Sequence, residues 1–117
     1  MDPRVTRAIE IVERDLHQPI KLQRLARGVG LSVSRFHQLF HVNTGFSPGY
    51  YFRILRLNRA RQLLERSQIS IKEISYIAGY FDRSHFEREF KKIFGVTPHA
   101  CRTAALPSLL REPKRDH

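Results

Sequence analysis

The chain has 117 residues, of which 41% are hydrophobic, so it is long enough to form one domain, or two very small ones, with a real core. Lysine and arginine total 21 against 11 acidic residues, and the net charge of +10 favours a polyanionic partner, first of all nucleic acid and otherwise an anionic membrane or an acidic protein. A single cysteine excludes an internal disulfide, and the sequence has no hydrophobic run near the ~18 residues of a membrane span and no signal-peptide core, which predicts a soluble cytoplasmic protein.

The N-terminal residues are patterned as two helices. Asp2 followed by Pro3 is typical of an N-cap and a first helical residue, and a hydrophobic stripe with spacings of three and four continues until Pro19 breaks the helix. The stripe consists of Val5, Ala8, Ile9, Val12 and Leu16. A short second helix is predicted over residues 22–28.

Two longer helices follow. Ser32 is the expected N-cap of the third helix, which Gly45 ends, and Ser47 with Pro48 opens a fourth helix that is predicted to reach Arg66. The third helix carries Phe36, Leu39 and Phe40 inward. The buried side of the fourth is expected to consist of Tyr51, Ile54, Leu55, Leu63 and Leu64.

The C-terminal part is also patterned as helices. Ser70 and Glu73 have the spacing of a capping box and open a short helix to Ala78, and Thr97 with Pro98 opens a last short helix. The helix between these two carries Phe86, Phe90, Ile93 and Phe94 inward. No stretch alternates with period two for long enough to predict a strand.

The most informative feature of the sequence is an internal repeat. Leu25, Val29, Gly30 and Leu31 recur 49 residues later as Ile74, Ala78, Gly79 and Tyr80. Ser34, Phe36, Phe40, Gly45 and Pro48 recur 50 residues later as Ser84, Phe86, Phe90, Gly95 and Pro98. The change of offset means that the second copy has one extra residue in its turn, near Phe81 or Asp82.

Each copy has the pattern of a helix-turn-helix unit. In the first, Leu25 faces inward, Ala26 is small where the second helix must pass close, and Gly30 supplies a tight turn with positive φ. Some helix-turn-helix folds serve only protein contacts, so the pattern alone leaves the partner open. The predicted organisation is a helix-turn-helix subdomain over 1–46, a linking helix over 47–67, a second subdomain over 68–106 and a flexible tail over 107–117.

Subtracting the core residues leaves one polar face on each second helix, in the half that such helices place in the major groove of DNA. The expected base-contacting residues are Ser34, His37, Gln38, Arg83, Ser84, Glu87 and Arg88. Arginine can bind guanine, glutamine can bind adenine, and glutamate can accept from cytosine, whereas a solvated polar face is the plain alternative for each residue. The expected contacts to the DNA backbone are Ser32, Arg35, His41, Arg53, Lys91 and Lys92.

The linking helix is basic and long. Its 19 residues span about 28 Å, against about 34 Å for one turn of DNA, so two units joined by such a rod are expected to enter successive major grooves. Its arginines are expected to contact phosphates or to hold the two units through acidic partners, and a solvated basic face is the alternative. They are Arg53, Arg56, Arg59, Arg61 and Arg66.

Other kinds of site are weakly supported. His37 and His41 have the i, i+4 spacing of metal ligands but no evident third ligand, and Cys101 lacks a partner that would make it a nucleophile. The sequence shows no paired carboxylates, no nucleophile with a base and no phosphate-binding glycine loop, so neither an enzyme nor a cofactor is expected. A nonspecific architectural DNA binder remains the second hypothesis, although such a protein needs only lysine and arginine on its binding face.

The sequence resembles the DNA-binding domain of the AraC/XylS family of bacterial transcription regulators from Val5 to Arg102. The first matching residues are Leu25, Ala26, Val29, Gly30, Leu31, Ser32, Phe36, Leu39, Phe40, Thr44 and Gly45, followed by Arg56, Ala60, Leu63 and Leu64. The most diagnostic are Ile74, Gly79, Tyr80, Asp82, Ser84, Phe86, Phe90, Lys91, Lys92, Phe94, Gly95, Thr97, Pro98 and Arg102. The chain departs from the family's usual residues at Tyr80, Phe81 and Ala100.

The resemblance implies an all-α fold of seven helices, with two helix-turn-helix units joined by a long helix. It implies promoter binding, usually as an activator that contacts RNA polymerase, in the cytoplasm at the nucleoid. The expected base-contacting residues coincide with the family's base-reading positions. The sequence is compatible with a complete small activator and with part of a larger regulator whose effector-binding domain is missing, and it shows no effector pocket.

Overall fold

In the computed structural model the described backbone covers residues 1–111 and the described side chains cover residues 1–106. This part of the chain contains seven helices and no strand, as the sequence predicted. The helices are α1 (Pro3–Arg14), α2 (Leu22–Gly28), α3 (Val33–Thr44), α4 (Pro48–Arg66), α5 (Ile71–Ile77), α6 (Arg83–Phe94) and α7 (Pro98–Arg111). No helix among the described residues is long and apolar enough to cross a membrane.

The chain forms two compact units, of which the first is Met1–Leu55 and the second begins at Arg56. The first unit has its own hydrophobic core, in which the ring of Phe40 is the centre: its centroid lies 5.6 Å from that of Phe36, 5.3 Å from that of Tyr51 and 5.4 Å from that of Phe52. The other buried members are Val5, Ala8, Ile9, Val12, Leu25 and Ala26. This core fixes α2 and α3 against α1 and against the start of α4.

The second unit repeats this design with different residues. Phe86 and Phe90 are fully buried, and their centroids lie 5.8 Å apart. Tyr80 is buried as well and packs edge-on against Phe86 at 5.4 Å. The remaining buried members are Leu57, Ala60, Leu64, Ile74, Ala78 and Cys101. Arg102 donates to the carbonyl oxygens of Leu64 and Ser67 at 3.3 Å and 3.2 Å, which satisfies acceptors at the C-terminal end of α4.

Local start and stop signals account for most helix bounds. The predicted bounds of α2 and α4 are confirmed, and so are the N-caps: Asp2 accepts from the amide of Arg4 and Ser70 from that of Glu73. α1 ends at Arg14, five residues before Pro19. There the backbone of Asp15 leaves the helical conformation, with φ −149° and ψ 67°, and the amide of Gln18 donates to its carbonyl oxygen at 3.1 Å, so the chain turns before the proline.

α4 departs from the sequence prediction in its buried side. Phe52, Leu57, Ala60 and Leu64 are buried, whereas the predicted residues other than Leu64 are only partly buried. Phe52 belongs to the first core and the other three to the second. A single helical stripe was therefore the wrong pattern for α4, because the helix contributes to two cores. Where it passes from one core to the other, the spacing of the buried residues is i, i+5, from Phe52 to Leu57, rather than the i, i+3 or i, i+4 of one stripe.

α7 begins at Pro98 as predicted, with the Thr97 hydroxyl accepting from the amide of Ala100, but it has 14 residues and is longer than expected. Its backbone continues through residues 107–111, where the sequence analysis expected the start of a flexible tail. Proline inside a helix removes one backbone hydrogen bond and crowds the preceding turn, so the helix continues past Pro107 at a local energetic cost. The rest of the expected tail, residues 112–117, lies outside the described residues.

Candidate nucleic-acid interface

α3 is the second helix of the first helix-turn-helix unit. The turn before it is made by Gly30, whose φ of 79° is confirmed as positive, and the side chain of Ser32 caps the helix by accepting from the amide of Arg35 at 3.2 Å. Because Phe36 and Phe40 are fully buried, the opposite face is presented to solvent. The predicted contact residues on that face are exposed, apart from His37, which is half-buried: Ser32, Ser34, Arg35, His37, Gln38 and His41.

Three of these residues share one shallow depression. His37, Gln38 and His41 line it together with Val42 and Ser47. Val42 was not singled out in the sequence analysis, yet 81% of it is exposed beside these polar groups. The depression thus combines imidazole, amide and hydroxyl groups with an apolar side wall, which is the mixture that base edges and thymine methyl groups require.

α6 is the corresponding helix of the second unit. The carboxylate of Asp82 caps it by accepting from the amide of Ser84 at 2.9 Å. Phe86 and Phe90 point into the core, and Ser84 and Arg88 are exposed on the other side. The two capped helices are therefore equivalent in the repeat, and each presents a polar face, but the side chains on the two faces differ in chemistry.

Arg83 and Glu87 form an ion pair on this face. Nε of Arg83 lies 2.7 Å from a carboxylate oxygen of Glu87, one helical turn further on, and both side chains remain about half exposed, at 53% and 40%. From the sequence, Arg83 and Glu87 are expected to contact bases separately. The structure joins them, so a ligand at this point meets a guanidinium whose direction is set by a neighbouring carboxylate.

The C-terminal half of α6 is cationic. Lys91 and Lys92 are exposed in the last turn, where positive side chains also interact favourably with the helix dipole. Arg88 lies one turn before them and is exposed too. Arg88, Lys91 and Lys92 are neighbours at i, i+3 and i+4, so they bring three exposed positive charges close together beside the Arg83–Glu87 pair, which favours a polyanion.

The arginines of α4 differ from one another. The guanidinium of Arg53 lies 5.5 Å from the ring centroid of Tyr50, and that ring stacks on exposed Phe46 at 5.4 Å.

Burial lowers the pKa of Arg56. Arg61 pairs with Glu65 at 3.1 Å and lies 5.0 Å from the ring centroid of Phe94, which makes it a packing residue of the second unit. Arg59 and Arg66 are exposed, as Arg61 also is, at 49% of its side chain.

Three observations bear on other kinds of site. Cys101 is buried, and burial raises the pKa of its thiol, which opposes formation of a nucleophilic thiolate. Among the described residues no three histidine, cysteine or acidic side chains come together as metal ligands. The first unit has a half-open cavity of about 470 Å³ whose lining includes Ile11, Ile20 and Leu25, and none of the predicted DNA-contacting residues lines it.

One exposed side chain beside α6, Phe81, was not among the expected DNA contacts. Phe81 is 84% exposed and directly precedes the N-cap residue Asp82. The sequence did contain a signal for it, because the offset of the repeat changes from 49 to 50 at this point. What the sequence could not give is the exposure of the ring.

The family model described as "Helix-turn-helix domain" matches residues 25–104 of the chain. The transcriptional regulator GlxA of Rhizobium meliloti is 36% identical over 102 residues, which are 86% of this chain and 31% of GlxA. The transcriptional regulator GbdR of Pseudomonas aeruginosa is 34% identical over 96 residues, which are 82% of this chain and 26% of GbdR. The chain thus spans about a third or less of the length of these curated relatives.

Solved structures agree with this match. A transcriptional regulator with an AraC-type DNA-binding domain from Chromobacterium violaceum is 33% identical, with a TM-score of 0.82 over 88% of this chain and 92% of that one. The DNA-binding domain of the global transcriptional factor AdpA, solved in complex with a target DNA, is 26% identical, with a TM-score of 0.83 over 97% of this chain and 98% of that one.

Proposed function

Since this chain belongs to the AraC-type helix-turn-helix family of DNA-binding transcription regulators, we propose that it binds promoter DNA by placing the N-terminal halves of α3 and α6 in successive major grooves. The observation that carries this proposal is the pair of capped helices, each with two buried phenylalanines on one side and an exposed polar face on the other. α4 has 19 residues and is about 28 Å long, which is close to one turn of DNA.

The chemistry of each face assigns a role to its residues. Gln38 offers the donor and acceptor pair that adenine requires, and Arg88 offers the fork that binds guanine O6 and N7. Glu87 accepts from cytosine N4 while it holds Arg83 toward the neighbouring base. The remaining base contacts come from Ser34, His37 and Ser84.

Contacts to the sugar-phosphate backbone set the register of each unit. Ser32 lies at the start of α3, where its Oγ accepts from the amide of Arg35 and its hydroxyl proton can be donated to a phosphate. Lys91 and Lys92 extend the positive surface of α6 along the strand. The remaining backbone contacts come from Arg35, His41 and Arg53.

Further parts of the proposal concern the whole protein. Two relatives are named as transcriptional activators, RhaS of Escherichia fergusonii and NphR of a Rhodococcus species, which supports an activating role here, with RNA polymerase as the protein partner. The chain spans 39% of that RhaS and 28% of that NphR, and if it is part of a longer regulator of this kind, the additional part would be an effector-binding domain. A regulator of this kind acts in the cytoplasm on the nucleoid and has no catalytic role.

The test is selection of the purified chain on a pool of randomised duplexes at near-physiological salt, followed by sequencing of the retained DNA. We expect an asymmetric motif with two boxes about one helical turn apart. Retention without enrichment, with affinity that collapses as salt rises, would instead identify a nonspecific binder driven by the net charge of +10.

A further inference from the structure

The turns of the two helix-turn-helix units differ by one residue, and that residue is Phe81. In the first unit Gly30, at φ 79°, is followed by Leu31 and then directly by the cap residue Ser32. In the second unit Gly79, at φ 89°, is followed by buried Tyr80. Phe81 is then inserted before the cap residue Asp82, so it has no counterpart in the first unit.

Phe81 is held between two anchored neighbours. The amide of Tyr80 donates to the carbonyl oxygen of Ser75 at 2.9 Å, and the ring of Tyr80 packs against Phe86. On the other side the Asp82 carboxylate accepts from the amide of Ser84 at 2.9 Å. The backbone around Phe81 is therefore ordered before any ligand arrives, and little additional backbone entropy is lost when its ring makes a contact.

The ring of Phe81 faces solvent beside a polar and cationic surface. It is 84% exposed, which is the largest exposed fraction among the large hydrophobic side chains of the described residues. The next residues along the chain are the cap Asp82, then Arg83 and Ser84 at the first turn of α6. An apolar group at the start of a helix that enters the major groove meets only one apolar feature of the base edges there, the 5-methyl group of thymine.

We infer that Phe81 contacts the 5-methyl group of a thymine in the box bound by α6. This inference rests on the proposed function, because it requires α6 to enter the major groove. It assigns to the second unit an apolar contact that supplements the hydrogen bonds expected from Arg83, Ser84 and Arg88. It also gives the inserted residue of the second turn a role in specificity.

The experiment replaces each thymine of the selected duplex in turn by deoxyuridine, which removes the 5-methyl group and leaves the hydrogen-bonding groups in place. Affinities are measured for the unsubstituted chain and for Phe81→Ala. We expect one thymine of the second box, or two adjacent ones, at which deoxyuridine lowers the affinity of the unsubstituted chain by about fourfold, as expected for one methyl group removed from apolar contact. Phe81→Ala should bind the two duplexes equally, and Phe81→Leu should retain most of the difference.

Phe46→Ala is the matched control, because Phe46 is also an exposed phenylalanine, at 49%, but belongs to the first unit. This variant should retain the sensitivity to deoxyuridine in the second box. Since Phe81 is exposed, its replacement should leave the thermal unfolding midpoint almost unchanged, and loss of DNA binding therefore reports a lost contact.

The outcomes separate this inference from the proposed function. If no motif is enriched in the selection, the proposed function fails and the inference fails with it. If a motif is enriched but no thymine is sensitive, or the sensitivity persists in Phe81→Ala, only the inference is overturned. If Phe81→Ala binds every duplex as the unsubstituted chain does but RNA polymerase makes less transcript with it in a reconstituted reaction, Phe81 contacts a protein. The thymine contact is then also overturned.

Discussion

The carboxylate of Glu87 lies 2.7 Å from Nε of Arg83 on the exposed face of α6. An exposed pair with this spacing contributes only about 0.3–0.5 kcal/mol to stability. Its significance is geometric, because the carboxylate sets the direction of a guanidinium at the start of the helix proposed to contact bases.

Glu87→Gln should show whether Glu87 acts by orienting the Arg83 guanidinium or only through its negative charge. Without the carboxylate, Arg83 is free to contact a phosphate, so affinity for random duplexes should rise and the slope of log affinity against log salt should steepen by about one. Discrimination at one base pair of the second box should fall by about 1–3 kcal/mol. The matched control is Glu65→Gln, which breaks the Arg61–Glu65 pair on α4. Equal changes in both variants, measured by fluorescence anisotropy, would contradict the role given to Glu87.

Arg88→Ala should weaken binding to the selected duplex by about 1–3 kcal/mol and relax preference at one position, because a bidentate contact to guanine is lost. Arg7→Ala serves as the charge-matched control, since Arg7 is exposed on α1 and is not among the expected contacts. Titration of both variants against cognate and random DNA decides the matter: an equal loss on the two DNAs would make Arg88 a phosphate contact.

Ser32→Asp should keep the cap of α3 and remove a phosphate contact. Aspartate caps helices about as well as serine, so the free energy of unfolding should stay within about 0.5 kcal/mol, whereas the new negative charge should reduce DNA affinity most strongly at low salt. Ser70→Asp makes the same change at the cap of α5 and should affect DNA affinity less. Ser32→Ala, by contrast, should lower stability by about 1 kcal/mol. An unchanged affinity of Ser32→Asp at low salt would remove Ser32 from the backbone contacts.

Gly30→Ala should lower the free energy of unfolding by about 1–2 kcal/mol, because Gly30 has a φ of 79° and a side chain is strained there although no atom lies within 4 Å of the added carbon. Gly28→Ala makes the same change in the last residue of α2, also in open space and without a positive φ, and should be neutral or stabilising by up to about 1 kcal/mol. Urea unfolding curves measure both values. Equal effects would show that the turn conformation is not what requires glycine at position 30.

Local chemistry explains why so much of the fold could be predicted. The starts of α3 and α6 and the glycines that end them, Gly45 and Gly95 at φ 84° and 80°, depend on residues within one helical turn. The two copies of the repeat also support each other, because Phe36 and Phe40 of one copy predict the burial of Phe86 and Phe90 in the other.

The sequence predictions were wrong or incomplete where residues distant in the sequence determine which side chains are buried or paired. The buried side of α4 depends on two cores that a single periodicity cannot represent, so Phe52 and Leu57 were missed. Likewise, spacing places Arg83 and Glu87 on one face but does not say whether they meet each other or a ligand. The faces of α3 and α6 were predictable as polar surfaces, whereas the identity of each DNA contact remains a prediction that the substitutions above test.

If both units bind DNA as proposed, the division of the hydrophobic residues into two cores makes this chain a bivalent ligand. Once one unit occupies its half-site, the covalent connection through α4 makes binding of the other unit intramolecular, so two weak contacts combine into a tight one. Promoters with one good and one poor half-site can then still be occupied. Natural variation in a single box would tune the level of expression in steps rather than abolish regulation.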